Sequence, residues 1–181
     1  MDAVVECIAE AGYYAATASE ISRRSGLTWG AVQHHFGDKD GILSAVLEDS
    51  FARFTETLDE VPTGGTLEQR VAGFVRCAWR HFGSPHYRTT FAILANLPSD
   101  PSAPWRERLL AAWTDVWKRS FPESRLPADR TRSLMLYAIA VLTGLAGLQA
   151  LDRATLGPLE AELRWLEETL LREFAARGVT R

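Results

Sequence analysis

The chain has few of the residues that build disulfide frameworks or metal centres. Its 181 residues include two cysteines, Cys7 and Cys77, and four histidines. The cysteines lie far apart in sequence, and neither they nor the histidines fall at a spacing typical of metal ligands. We therefore expect both cysteines to be small buried apolar residues, with no disulfide, metal or cofactor.

Long apolar runs and catalytic motifs are also missing. The most apolar stretch, 134–151, is interrupted by Thr143, Gly144, Gly147 and Gln149, so no segment reaches the roughly 20 apolar residues that span a membrane. No basic and then apolar leader opens the sequence, and we expect a cytoplasmic location with no membrane partner. Because neither a Gly-x-Ser-x-Gly elbow nor a glycine-rich phosphate loop occurs, no motif predicts an enzyme.

Positive charge is scarce in the first third of the chain. Residues 1–59 contain four basic and ten acidic residues, a net charge of −6, and the remainder carries +3. The helical pattern starts at the first residues, so we expect that a basic arm upstream is missing. This balance argues against tight non-specific binding of nucleic acid, although the face that meets phosphate matters more than the net count.

Nearly every segment that is present has helical periodicity, and none alternates convincingly as a strand. The patterns predict an all-α fold of about nine helices. Pro62-Thr63-Gly64-Gly65 is the clearest break, and Thr66 with Gln69 forms a capping-box pattern directly after it. The predicted helices cover approximately 2–11, 18–25, 29–35, 39–59, 67–82, 86–95, 105–120, 129–151 and 158–177.

Residues 17–39 contain two short helices joined by a tight turn. Thr17 with Glu20 fits a capping box, and Ser25-Gly26 ends the first helix where a glycine can adopt a left-handed conformation. Thr28 caps the second helix and Asp38 a third. This spacing is typical of a helix-turn-helix, whose second helix enters the DNA major groove, but it also occurs in plain helical scaffolding.

The residues of this segment resemble the head of the tetracycline-repressor (TetR) family of bacterial regulators. The matching positions, in chain order, are Gly12-Tyr13, Thr17, Ile21, Ser25-Gly26-Leu27, Gly30, Val32, His35-Phe36, Lys39 and Leu43. The resemblance covers about residues 3–47. It implies a head, residues 1–45, that binds DNA, and a body, residues 46–181, that binds a ligand and forms a homodimer. It also implies a repressor released from a palindromic operator by a small apolar or aromatic effector.

Carried over by position, the residues around the second helix of the motif are implied to contact DNA. They are Thr17, Thr28, Trp29, Gly30, Ala31, Gln33, His34, His35 and Lys39. Gln33 departs from the family pattern, which has a tyrosine that contacts phosphate; a glutamine can instead pair bidentately with adenine.

Several head residues have alternative interpretations. Trp29 either stacks on DNA or packs across its helix, and His35 either contacts DNA or hydrogen-bonds the backbone. Lys39 either binds phosphate or is a solvated charge. Ile21, Val32 and Phe36 are predicted to be core residues.

Aromatic residues of the body are candidates for an effector cavity. Trp113 and Trp117 share one helix face, and the full candidate set is Phe74, Trp79, Phe82, Phe91, Trp113, Trp117 and Tyr137. A nearly uncharged aromatic wall predicts an apolar or flat ligand. Equally, aromatic residues at helical spacing are often ordinary core.

The last two predicted helices are the candidate dimer interface, packing with their copies as a four-helix bundle. The candidate residues are Gly144, Leu145, Leu148, Leu163, Leu166 and Leu170. Two other functions stay open at this point. One is a carrier whose acidic head no longer reads DNA, and the other, with no motif behind it, is an enzyme.

Overall fold

The fold was analysed in a computed structural model that describes residues 2–96, 104–122, 124, 126–151 and 158–175. These residues form nine α-helices and one short 3-10 turn, Tyr13–Ala15, with no strand among them. The α-helices are α1 (Asp2–Ala11), α2 (Ala18–Ser25), α3 (Trp29–Phe36), α4 (Lys39–Asp59), α5 (Leu67–Phe82), α6 (Pro85–Asn96), α7 (Pro104–Ser120), α8 (Ala128–Leu151) and α9 (Glu160–Ala175). The all-α prediction is confirmed. Of a loop predicted over 98–104, residues 98–103 lie outside the described residues and Pro104 begins α7; the predicted helix end at 176–177 also lies outside them.

Side-chain caps set several of the helix boundaries. Before α5, the Thr66 hydroxyl accepts from the Gln69 N–H at 3.3 Å and the Gln69 amide oxygen accepts from the Thr66 N–H at 2.9 Å, which completes the predicted capping box. Gly26 ends α2 with φ of 69°, a left-handed conformation that side chains disfavour.

The capping box predicted before α2 forms only in part. Thr17 accepts from the Glu20 N–H at 3.3 Å, but the Glu20 carboxylate accepts hydrogen bonds from Arg23 and Arg24 instead of returning to Thr17. Charge-assisted bonds to two guanidinium groups are stronger than a bond to a neutral backbone N–H, so they take the carboxylate.

The described residues of Met1–Arg53 and Ser84–Glu107 form a first compact unit. Its core is aliphatic, and it brings α1, α2, α3, the first part of α4, and α6 together around side chains such as Ile21, Val32, Leu43 and Ile93. A buried 2.7 Å hydrogen bond from Thr90 to Ser50 joins α6 to α4. The division of the chain at residue 45 into head and body stays a prediction about function.

The described residues of Phe54–Gly83 and Arg108–Arg181 form a second compact unit. Its core is aromatic: the Phe74 ring makes edge-on contacts with the rings of Trp113, Trp117 and Phe121, with centroids 5.6 to 5.8 Å apart. Phe74 is fully buried, and edge-to-face pairs of this kind stabilise beyond the area they bury.

Helix α8 in this unit is apolar on more than its buried face. By length and composition alone it could cross a membrane, with a mean hydropathy of 1.9 over its most apolar 18 residues, of which 33% are buried inside the chain. Core helices of soluble proteins pass the same test of length and composition.

The prediction that Phe36 is a core residue is wrong. Ile21 and Val32 are buried as predicted, but Phe36 is 36% exposed. Phe36 is the last residue of an eight-residue helix, and its ring lies 6.3 Å from that of the exposed His35. In so short a helix, one buried side chain, Val32, is enough to anchor it to the core.

Candidate DNA-binding and ligand-binding sites

Helix α3 presents a polar, exposed face from a fixed position. Val32 is buried in the first unit's core and holds the helix in place. On the opposite side Gly30, Ala31, Gln33 and His34 are exposed. Small residues beside an amide and an imidazole allow close approach to base edges, which α-helices read in the major groove.

The two capping threonines keep a hydrogen-bond donor available for phosphate. The Thr17 oxygen accepts from the Glu20 N–H, and the Thr28 oxygen accepts from the Ala31 N–H at 3.2 Å. Capping uses a lone pair of the oxygen, so each hydroxyl hydrogen can still be donated. Both threonines are exposed, at helix N-termini, where the dipole favours an anion.

Trp29 and His35 differ in their surroundings. Trp29 is half-buried and packs against the first unit's core, so it has less free surface than the rest of the α3 set. His35 is exposed, with its ring 5.6 Å from that of His34 in an edge-on arrangement. The pair of imidazoles therefore lies at the C-terminal end of α3, on the solvent side.

Lys39 is held against the 3-10 turn. Its ammonium group donates to the Tyr13 carbonyl at 3.4 Å and lies 4.6 Å from the centroid of the Tyr13 ring. A cation over an aromatic face is attracted by the ring quadrupole. An ammonium group has three donors, so this contact leaves others for phosphate.

The arginines of α2 are occupied by acids. Arg23 and Arg24 each bond Glu20 at 2.6 Å, and Arg24 also pairs with Glu10. The hydrogen bonds from Arg23 and, to a smaller extent, from Arg24 lower the pKa of the Glu20 carboxyl from 4.5 to about 2. The two arginines that precede α3 are thus neutralised locally, in keeping with the net negative charge of residues 1–59.

Most of the aromatic residues predicted to line a ligand cavity lie elsewhere. Phe74, Phe82 and Trp113 are buried in the aromatic core of the second unit. Trp79 is half-buried and packs beside Gly83. Phe91 is 41% exposed on α6 of the first unit, and Tyr137 is exposed on α8.

A cavity of about 800 Å³ lies within the second unit between α7 and the start of α8. Of the predicted residues, Trp117 lines it. Sequence reasoning missed the other described lining residues, which are Leu110, Thr114, Lys118, Phe121, Pro122, Ser124, Ala128, Thr131, Arg132 and Met135. The volume is in the range of small-molecule sites. The predicted cavity wall is nearly uncharged, whereas this wall contains two cations.

The helical spacing of these residues was a usable signal. Thr114, Trp117, Lys118 and Phe121 recur at i, i+3, i+4 and i+7, and the same interval joins 128, 131, 132 and 135. Residues at these intervals share a helix face. A search for aromatic residues alone does not identify these two helix faces, because each contains a threonine and a cation.

The exposed surface of α8 carries an apolar stripe. Tyr137, Ala140, Gly144, Leu148 and Leu151 are exposed and recur at intervals of three and four residues. Leu148 is 48% and Leu151 84% exposed. We name these five residues the α8 stripe.

The other candidate interface residues divide into two groups. Leu145, Leu166 and Leu170 are buried within this chain, so they support the two helices from inside and have almost no surface left for a partner. Leu163 is half-buried. Helix α9 instead exposes Trp165, at 67%, which the prediction had not included.

Within the part of the chain that the structure describes, no group of three or more His, Cys, Asp or Glu residues could hold a metal ion.

Comparison with known proteins connects these helices to a family. Residues 1–46 match the family model described as "Bacterial regulatory proteins, tetR family". An HTH-type transcriptional repressor of Mycobacterium tuberculosis is 29% identical over 151 residues, covering 80% of this chain and 77% of the relative. The HTH-type transcriptional regulator BetI of Escherichia coli is 35% identical over 79 residues, covering 41% of this chain and 40% of BetI.

A solved structure extends the likeness in fold to nearly the whole chain. A transcriptional regulator from Rhodococcus sp. Rha1 superposes with a TM-score of 0.77 at 23% identity, covering 99% of this chain and 96% of that one. At this identity the superposition establishes the fold. These relatives are transcriptional regulators.

Proposed function

Because the chain belongs to the tetR family of bacterial regulatory proteins, a family of DNA-binding transcriptional regulators, we propose that it acts as a homodimeric repressor. Each protomer places α3 in a major groove of a palindromic operator, and a small effector in the cavity of the second unit releases the complex. The observation that carries the proposal is the exposed polar face of α3, held by the buried Val32 beneath it.

The contacts proposed for DNA fall into two kinds. Thr17, Thr28 and Lys39 position the protein on phosphate, while Gln33 and His34 read base edges from the middle of the exposed α3 face. Since Arg23 and Arg24 are paired with acids, hydroxyl groups and helix N-termini take a larger part of the phosphate contacts than arginines do.

The proposed dimer uses the α8 stripe against its copy in a partner protomer, with Trp165 of α9 at its side. A helix surface with five exposed apolar or small residues in line is covered by a second helix in a stable assembly. Gly144 has open space around its Cα, so a Cβ added there meets no atom within 4 Å among the described residues beyond its own helix neighbours. The lack of a side chain at Gly144 therefore allows a helix of the partner protomer to approach closely.

Effector control is proposed as a shift between two populations of the dimer. One arrangement spaces the two α3 helices for successive major grooves, about 34–36 Å apart, and the other does not. An effector weakens DNA binding only by as much as it prefers the second arrangement. The cavity between α7 and α8 supplies the site at which such a preference can arise.

The test of DNA binding is a selection of sequences from random duplexes with the purified full chain, followed by anisotropy titrations across a salt series. We expect an inverted repeat and a salt-dependent affinity. Gln33→Ala should lose about 1–3 kcal/mol of discrimination at one base pair of each half-site. No preference over random DNA, alongside tight binding of small molecules, would leave a carrier function in place of the repressor.

The dimer is tested by sedimentation at low protein concentration. Gly144→Leu should shift the profile toward monomer, because the new side chain fits the protomer but blocks the partner. Gly64→Leu is the matched control, since Gly64 also has open space around it but lies in a turn outside the α8 stripe. An unchanged profile for Gly144→Leu would count against this interface.

A further inference from the structure

The cavity of the second unit is walled by two helix faces of the same mixed chemistry. Each face combines apolar side chains with a threonine and a cation, Lys118 on α7 and Arg132 on α8. None of the described lining residues is acidic. The cavity therefore presents two positive charges beside a largely apolar wall.

Both cations differ from the arginines beside them in sequence. Arg119 is paired with Asp59 at 2.7 Å, and Arg130 is paired with Glu173 at 2.6 Å. Lys118 and Arg132 form no ion pair within the part of the chain that the structure describes. Among the described residues, no acid is therefore paired with either cation.

Two buried polar atoms of the lining also lack partners. The indole nitrogen of Trp117 and the hydroxyl of Ser124 are buried without a hydrogen bond, and Trp117 is 2% exposed. An unsatisfied buried donor is costly, and such groups call for an explanation such as a bound molecule. Neither atom has accessible surface, so an acceptor on a ligand would reach the indole nitrogen only after neighbouring side chains move.

We propose that the effector is an amphipathic acid, an apolar molecule with a single carboxylate. This inference rests on the proposed function, in which the cavity is the effector site. The apolar part lies against Trp117, Phe121 and Met135, and the carboxylate lies by Lys118 and Arg132. A volume of about 800 Å³ accommodates either a fatty chain or a fused aromatic ring system.

The test is isothermal titration calorimetry of the full chain, without DNA, against two acids and their neutral amides. Dodecanoate with dodecanamide represents the chain, and 2-naphthoate with 2-naphthamide represents the flat ring. For at least one pair we expect the acid to bind roughly tenfold more tightly than its amide, as a charge-assisted contact near the surface allows. The pair with the larger ratio identifies which apolar body fits.

The double variant Lys118→Gln/Arg132→Gln should bring the acid-to-amide ratio close to one while leaving amide binding unchanged. Arg119→Gln/Arg130→Gln is the matched control, because it removes the same two charges from the same two helices outside the cavity, and it should keep the wild-type ratio. Thermal melts compare the folding of the two double variants.

Three results would overturn the proposal: no binding of either acid, equal binding of acid and amide, or equal loss of preference in both double variants. Operator release is measured separately by anisotropy. Acid binding that follows the expected pattern without release would support the acid site and refute only the effector control described under Proposed function.

Discussion

The head and the cavity of this regulator use positive charge in opposite ways. In the head, Arg23 and Arg24 are tied to Glu20, and Lys39 lies over Tyr13. In the second unit, Lys118 and Arg132 face a cavity and are not in ion pairs with described residues. The proposed DNA contacts of the head therefore depend on the fixed geometry of α3, on two capped helix ends and on the remaining donors of Lys39, whereas the two cations of the second unit are proposed to bind a small acid.

The two units also differ in how their cores are built. Aliphatic side chains fill the first, whereas interlocking rings around Phe74 fill the second. Large rings pack with more specific geometry.

The largest expected effect is on the aromatic core. Phe74→Ala removes a fully buried ring that contacts three others, and it should lower the free energy of unfolding by about 3–5 kcal/mol. Urea denaturation followed by tryptophan fluorescence measures the loss, because Trp113 and Trp117 report on the same core.

Phe91→Ala is the control for this change. Phe91 is 41% exposed in the first unit, so the same substitution should cost well under half as much as at Phe74. Similar costs at the two positions would mean that the ring contacts of the second unit add little to its stability.

How far the sequence predicts this molecule depends on the kind of signal. Caps and breaks act within a few residues, so Thr28, Gly26 and the Thr66 capping box were found where the structure has them. Competition between neighbouring side chains was not predicted. At Glu20, hydrogen bonds from two arginines replace the expected bond of the carboxylate to Thr17.

Burial and cavities were harder to predict because they depend on contacts distant in sequence. Periodicity identifies the face of α7 that turns inward, but it cannot tell whether that face is filled, as around Trp113, or leaves the cavity beside Trp117. For the same reason Leu166 and Leu170 were assigned to a partner when they pack within the chain.

The next effect concerns the turn of the helix-turn-helix motif. Gly26 has φ of 69°, a conformation that costs residues with a Cβ about 1–2 kcal/mol. Gly26→Ala should therefore destabilise the protein by about this amount, measured by thermal denaturation, although an added methyl group meets no other atom there.

Gly30→Ala is the matched substitution on α3. Gly30 has ordinary helical φ and open space around it, so alanine should stabilise the helix by up to about 1 kcal/mol. The same methyl group projects from the proposed DNA face and should weaken operator binding. A loss of stability in Gly30→Ala, or no loss in Gly26→Ala, would contradict the backbone conformations assigned to these two glycines.

A pair of caps separates DNA binding from folding more cleanly. Thr28→Ala and Thr66→Ala each remove a side-chain acceptor from a helix N-terminus, at a cost of about 1 kcal/mol each. Only Thr28→Ala should also reduce operator affinity in anisotropy titrations, because Thr66 caps α5 in the second unit. Equal operator affinities for the two variants would remove Thr28 from the DNA contacts.

The smallest effect is the pH dependence of the charges in the head. Arg23 and then Arg24 lower the pKa of Glu20 from 4.5 to about 2 in the folded protein. A lowered folded-state pKa means that these bonds stabilise fully above about pH 4.5 and progressively less as the pH falls to 2. Denaturation of the wild type and Glu20→Gln across this window should show a stability difference that shrinks on acidification. A constant difference from pH 7 to pH 2 would mean that the arginines of α2 are not held by Glu20, and would return them to the cations available for DNA.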